Sequence, residues 1–173
     1  MMQTIAEYTV NAVPDRGLIE VYDADACMAD AAAMKASRQQ VVAGNGYHLY
    51  LHSLQSEIAV EVHVRIWASE EKVPDHSEGS TSVSIESETG ILVIGQLTLG
   101  PAGEMELPEA GVYEGVAWWT GRQPVAEYRD SILSQIGDDW SVGQITRKWK
   151  ECPASESYFL DLMFSHASEV DEL

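Results

Sequence analysis

The sequence predicts a mainly-β protein, an antiparallel β-sandwich with an α-helical insertion before the last strand. Three observations carry that prediction. Segments of alternating polarity recur at regular spacing, with turn residues between them. About 38 residues (120–157) separate the last two such segments, far more than a plain turn between strands needs. A hydrophobic content of 45% over 173 residues is enough for one domain with a buried core.

In chain order, GLIEVYDAD (17–25) reads as a first strand. The alanine-rich ACMADAAAMKASRQQ (26–40) holds a short helix with a weak apolar stripe, and Gly44-Asn45-Gly46 marks a turn. YHLYLHSL (47–54) alternates, with Tyr47, Leu49 and Leu51 on one face and His48, Tyr50 and His52 on the other. IAVEVHVRIW (58–67) sets Ile58, Val60, Val62, Val64 and Ile66 inward against Glu61, His63, Arg65 and Trp67 on a wet face. An acidic loop, SEEKVPDHSEGS (69–80), comes next. TSVSIESE (81–88), ILVIG (91–95), a continuation through QLTLG (96–100), a short strand around Met105 and Leu107, GVYEGVAWW (111–119) and YFLDLMF (158–164) complete the strands. The β body covers about 17–119 and 156–166, and the insertion about 120–155. Within the insertion Val125, Tyr128, Ile132, Leu133 and Ile136 form a helical stripe, and Val142, Ile145 and Trp149 a second, shorter one.

The net charge of −18 is large for this size. It repels nucleic acid and anionic membranes and attracts basic proteins at enhanced rates; a generally acidic proteome would give the same number with no partner implied. Residues 122–150 hold half of the basic side chains and carry a net +1, so the rest of the chain carries −19. The basic stretch RKWK (147–150) is expected to clamp the insertion onto the acidic body. The N-terminus shows no secretory pattern, no apolar run reaches the ~18 residues of a membrane span, and two cysteines, Cys27 and Cys152, suit a reducing cytoplasm while leaving one disulfide open. The terminal VDEL resembles an ER-retention tail, which means little without a signal peptide.

No P-loop, dinucleotide turn, HExxH, GxSxG or paired CxxC is present. His48, His52 and His63, with Glu61 nearby, are the best metal candidates. Yet His48 and His52, four apart on a strand, stand ~13 Å apart and cannot share one ion. Exposed sheet histidines are the plainer reading, and no cofactor or metal is expected. The spacing of Glu70, Glu71, Asp75 and Glu78 is not that of an EF-hand.

One resemblance stands out. An L-P-x-A-G turn (Leu107, Pro108, Ala110, Gly111) leads into Val112-Tyr113 and Trp118-Trp119, and the chain closes on Tyr158-Phe159-Leu160-Asp161-Leu162. With EVYDAD (20–25), this resembles a group of small acidic bacterial β-sandwich proteins that includes the competence-associated nuclease inhibitor, many of them in immunity or toxin-neutralising settings. The resemblance covers 17–119 and 156–164. It implies a β-sandwich that blocks a basic protein by charge complementarity, without chemistry of its own. Its motifs describe strands and a turn, so no functional residue carries over.

The expectation is therefore a cytoplasmic, non-enzymatic, acidic module that binds a basic protein such as a nuclease or toxin. Its contacts are expected from Glu70, Glu71, Asp75 and Glu78 and from exposed Trp67, Tyr50 and Trp118. The alternative is an enzyme or a small-molecule or metal-binding sandwich with a pocket under the insertion; self-association through a sheet edge is a third option. Trp118 and Trp119 must point to opposite faces. Trp119 belongs with Tyr113 in the core row, and Trp118 is expected to dock the insertion.

Overall fold

In the computed structural model, which describes residues 4–26 and 28–168, ten strands form two five-stranded sheets among the described residues. The strands are β1 (Thr4–Ala12), β2 (Leu18–Asp23), β3 (Val42–Gly44), β4 (His48–His52), β5 (Val60–Trp67), β6 (Gly79–Ser87), β7 (Ile91–Gly95), β8 (Pro101–Glu106), β9 (Gly111–Thr120) and β10 (Ser157–His166). The first sheet runs β1-β5-β10-β9-β6 and the second β3-β4-β2-β7-β8. Every pairing is antiparallel except one: β10 lies parallel to β5. The fold is thus the expected sandwich, with the first sheet mixed. Cys27, and with it the question of a disulfide, and the VDEL tail lie outside the described residues.

Alternation explains which residues fill the core. On β5 Val60, Val62, Val64 and Ile66 are buried; on β10 Tyr158, Leu160 and Leu162; on β9 Tyr113, Ala117 and Trp119. They meet Ile19, Val21, Leu49, Leu51, Leu92 and Ile94 of the opposite sheet in one hydrophobic cluster. Each large aliphatic side chain so buried is worth about 1.5–3 kcal/mol. The strand β1 escapes a reading by pattern. Its inward residues Ala6, Tyr8 and Val10 are only partly buried and Ile5 faces water, the signature of an edge strand. QLTLG does not extend β7: Leu97–Leu99 is a short 3-10 turn, and β8 starts after it.

The helix α1 (Ala31–Gln40) lies along β3 and β4. Asp30 caps it, accepting from the Ala32 and Ala33 amides, and the Asp30 amide donates to the Tyr50 hydroxyl. The β4 face expected to be wet is therefore covered. Tyr50 is fully buried, and His48 is stacked between Tyr22 and Tyr50 at 4.7 Å from each.

The insertion between β9 and β10 forms α2 (Arg122–Gln135) and α3 (Val142–Lys150). It leaves β9 through Gly121, where φ is +77° and a Cβ would meet the Ser155 carbonyl at 1.8 Å, so only glycine fits. Helix α2 buries Val125, Ala126 and Ile132, whereas α3 buries none of its residues. The Tyr128 hydroxyl donates to the Lys148 carbonyl and ties the two helices together. The clamp onto the body comes from arginines of α2, not from RKWK. Arg122 donates twice to the His52 carbonyl, and Arg129 grips Glu57 through two bonds of 2.9 and 3.0 Å. Lys148 pairs only with Glu151 beside it, and among the described residues Arg147 and Lys150 make no ion pair. No helix of the described residues is long and apolar enough to cross a membrane.

The connection between β5 and β6 is set by the parallel pair. Because β10 is parallel to β5 and antiparallel to β9, and β9 is antiparallel to β6, the strands β5 and β6 point the same way with two strands between them. Residues 68–78 must therefore return diagonally across the outer face of the first sheet. The diagonal measures about 22 Å from strand spacing and rise, and eleven residues can reach about 36 Å. The slack is taken up in a turn in which the Ser77 amide donates to the Pro74 carbonyl. This segment is a strap.

Candidate protein-binding face

The outward residues of the first sheet are those the core does not take: His63, Arg65 and Trp67 on β5, Phe159 and Asp161 on β10, Glu114, Val116 and Trp118 on β9. Register places Phe159 opposite both His63 and Trp118, so three rings from three strands stack. The His63–Phe159 centroids are 4.3 Å apart at 6°, and Phe159–Trp118 3.9 Å at 5°. His76 of the strap meets the Trp118 ring edge-on at 5.5 Å. Each such contact is worth about 0.5–1.5 kcal/mol beyond its area.

Asp161 is the polar centre. Arg65 donates to it through two bonds of 2.6 and 2.8 Å, the Trp67 indole N–H through one of 3.0 Å and the Trp118 N–H through one of 2.7 Å. Burial pushes the Asp161 carboxyl up, but the bonds from Arg65, Trp67 and Trp118 outweigh it and hold it below the usual carboxylate range. The Arg65 guanidinium also lies 5.0 Å from the Phe159 centroid and 5.4 Å from that of Trp67. The indoles are therefore fixed by their N–H groups as well as by packing.

Between this cluster and the strap runs a groove of about 290 Å³, lined by Trp67, Glu70, Glu71, Glu114 and Asp161 among others. Asp161 is neutralised by Arg65. Glu70, Glu71 and Glu114 make no ion pair among the described residues, and the Oε1 atom of Glu71 is buried with no donor. An open, negatively charged groove with a fixed indole on its wall has the chemistry to take a cationic side chain and stack its stem.

Of the residues singled out from the sequence, Trp67, Glu70 and Glu71 come together here. Trp118 neither docks the insertion nor is exposed as expected; it lies buried under the strap on Phe159 and Asp161. Asp75 and Glu78 are exposed further along the strap, where a Glu78 carboxylate oxygen accepts from the Arg122 amide. Tyr50 belongs to the other sheet, buried under α1, and cannot contact a partner. Sequence reading missed Phe159, Asp161 and Glu114. Their alternation was visible, but only the parallel β5–β10 register brings them beside Arg65 and Trp67. His48 and His52 lie in the second sheet and His63 in the first, so the three do not converge. Cys152 is partly buried and forms no disulfide among the described residues.

A second cavity, of about 390 Å³, lies between the insertion and the body; Trp149 and Lys150 of α3 face Ile58, Glu61 and Glu156 across it.

No family model matches the chain, and no curated protein matches it in sequence. Two solved structures are similar in fold. One is ComJ from Bacillus subtilis, an inhibitor of the DNA-degrading activity of NucA: the TM-score is 0.57 at 9% identity, over 95% of this chain and 99% of that one. The other is described as crocagin biosynthetic gene J, with a TM-score of 0.51 at 16% identity, over 96% and 99%. The resemblance to the competence-associated nuclease inhibitor is thus one of architecture, along nearly the whole chain.

Proposed function

We propose that the chain is a non-enzymatic, acidic protein-binding module of the inhibitor or immunity type, acting in the cytoplasm on a basic partner. The carrying observation is the groove beside Trp67, where Glu70, Glu71 and Glu114 stand without a cation in a chain of charge −18. Such a field speeds encounter with a basic surface, and a rigid, partly desolvated indole supplies affinity once contact is made. Asp161, the buried carboxylate of this face, is committed to structure, since it takes four hydrogen bonds. The likeness in fold to ComJ makes a nuclease the first partner class to test.

The test is inhibition of a panel of basic nucleases and nucleic-acid-directed toxins, with association rates measured at low and high salt. Inhibition at a one-to-one ratio is expected, with an association rate about tenfold or more faster at low salt. Replacing Glu70, Glu71 and Glu114 together by Gln should weaken the complex and lower that salt dependence, the rest of the acidic field remaining. Inhibition that survives the triple replacement at an unchanged rate would move the contact surface elsewhere, and an inert protein across the panel would sink the reading.

A further inference from the structure

The larger cavity under the insertion is built differently from the groove. At about 390 Å³ it falls in the size range of small-molecule sites. Its floor is apolar, from Val13, Ile58 and Ala59, and its roof is α3, which contributes the partly buried indole of Trp149. The cavity is a cleft half open to solvent, and α3 buries none of its own residues.

The polar groups on the walls are not equivalent. Glu57 is engaged by Arg129, and Glu156 takes bonds from Gln55 and Tyr158. Glu61 is about half exposed, at 46%, and has only the Ser157 hydroxyl and the His63 ring beside it. A carboxylate has about four acceptor positions, so Glu61 keeps spare capacity inside the cavity. Glu61 is thus the carboxylate on these walls with room for a further donor. Lys150, on the roof opposite and without an ion pair among the described residues, opposes a second positive charge on whatever binds.

We propose that this cavity binds a small organic monocation with an apolar, ring-sized body, an arylalkylamine in chemical class, its ammonium on Glu61 and its ring against Trp149 and Ile58. The site shares the Glu61–His63 contact with the outer face of the first sheet but does not depend on that face binding a protein, and its test is separate.

The experiment titrates the full chain with phenethylamine, 2-phenylethanol and 3-phenylpropionate, three probes of like shape and different charge. Binding is read by calorimetry and by the indole N–H resonance of Trp149. Phenethylamine is expected to bind and to shift that resonance. The alcohol should bind about tenfold more weakly, the worth of one charge-assisted hydrogen bond, and the carboxylate not at all. Glu61→Gln should bring the amine down to the affinity of the alcohol. Ala59→Leu, which fills the floor, should abolish both with the circular dichroism unchanged. Equal binding of all three probes, no binding at about 10 mM, an amine affinity indifferent to Glu61→Gln, or shifts remote from Trp149 would each overturn the proposal.

Discussion

The Trp118 indole lies flat on the ring of Phe159, 3.9 Å between centroids and 5° from parallel, while its neighbour Trp119 points through the sheet into the core. Adjacent residues of one type therefore serve two layers, and their substitutions should separate. Trp119→Ala should cost about 3–5 kcal/mol, the range for an aromatic removed from a core. Trp118→Phe keeps the stack but removes a donor to Asp161 and should cost about 1–2 kcal/mol. Urea denaturation of both variants checks the ranking; equal losses would mean that the outer layer is as tightly packed as the core.

Asp161 predicts the acid limb of stability. Its carboxyl is held below its ordinary value in the folded state, so its contribution is fully present above about pH 3.8 and is lost as pH falls through the folded value. Asp23 is shifted the same way: burial raises it, and bonds from Ser87 and Thr89 more than compensate. Asp161→Asn should therefore flatten part of the acid limb, leaving the Asp23 share. It should also cost about 2–3 kcal/mol at neutral pH, because Arg65 loses its counter-charge. Unfolding free energy measured from pH 2 to 7 for both proteins decides the matter.

Glu156 acts in the opposite direction. Burial pushes its carboxyl up, although Tyr158, Ser53, Gln55 and Arg122 all pull it down. A raised folded value means that the native state holds the proton longer than the unfolded chain. Stability then falls as pH rises from about 4.5 through the folded value. Glu156→Gln, which is neutral at every pH, should abolish that decline. A decline that persists in the variant would place its origin in another group.

The strap should be separable from the sandwich. His76 is its ring contact with the face below, at the edge of Trp118. His76→Ala is expected to raise amide exchange and proteolysis within 68–78 severalfold, with a change in global stability of about 1 kcal/mol or less. If the global midpoint dropped as much as for Trp119→Ala, the strap would be part of the cooperative core.

Much of the sandwich was legible in the sequence because β5 and β10 commit one face to Val, Ile, Leu or an aromatic at every second position, and β6 and β9 do so at Val83 and Ile85 and at Tyr113 and Trp119. The helical insertion was legible from its length and from Val125 and Ile132. Two kinds of information were not. Burial of the second face of β4 depends on α1, whose alanines and Ser37 carry almost no periodic signal, and so Tyr50 was misplaced. Strand order leaves no local trace either: nothing in YFLDLMF says that Asp161 will sit beside Arg65, 96 positions away. The carboxylates of the groove could be named one by one, but which of them lack a partner is a property of the register.

The parallel pairing of β10 with β5 also bears on how the protein comes into being. On a growing chain, β1 and β5 can pair early and β6 with β9 somewhat later, but the strand that joins those two ribbons emerges after all of them. Until it does, β5 and β9 each show an unpaired, hydrophobic margin of the kind that invites association with other chains. Phe159 and Asp161 arrive with that strand, so the ring stack and the carboxylate that fixes both indoles are the last parts of the outer face to form. A chain that stops short of β10 lacks both the join between the two ribbons and the residues around which the outer face is ordered.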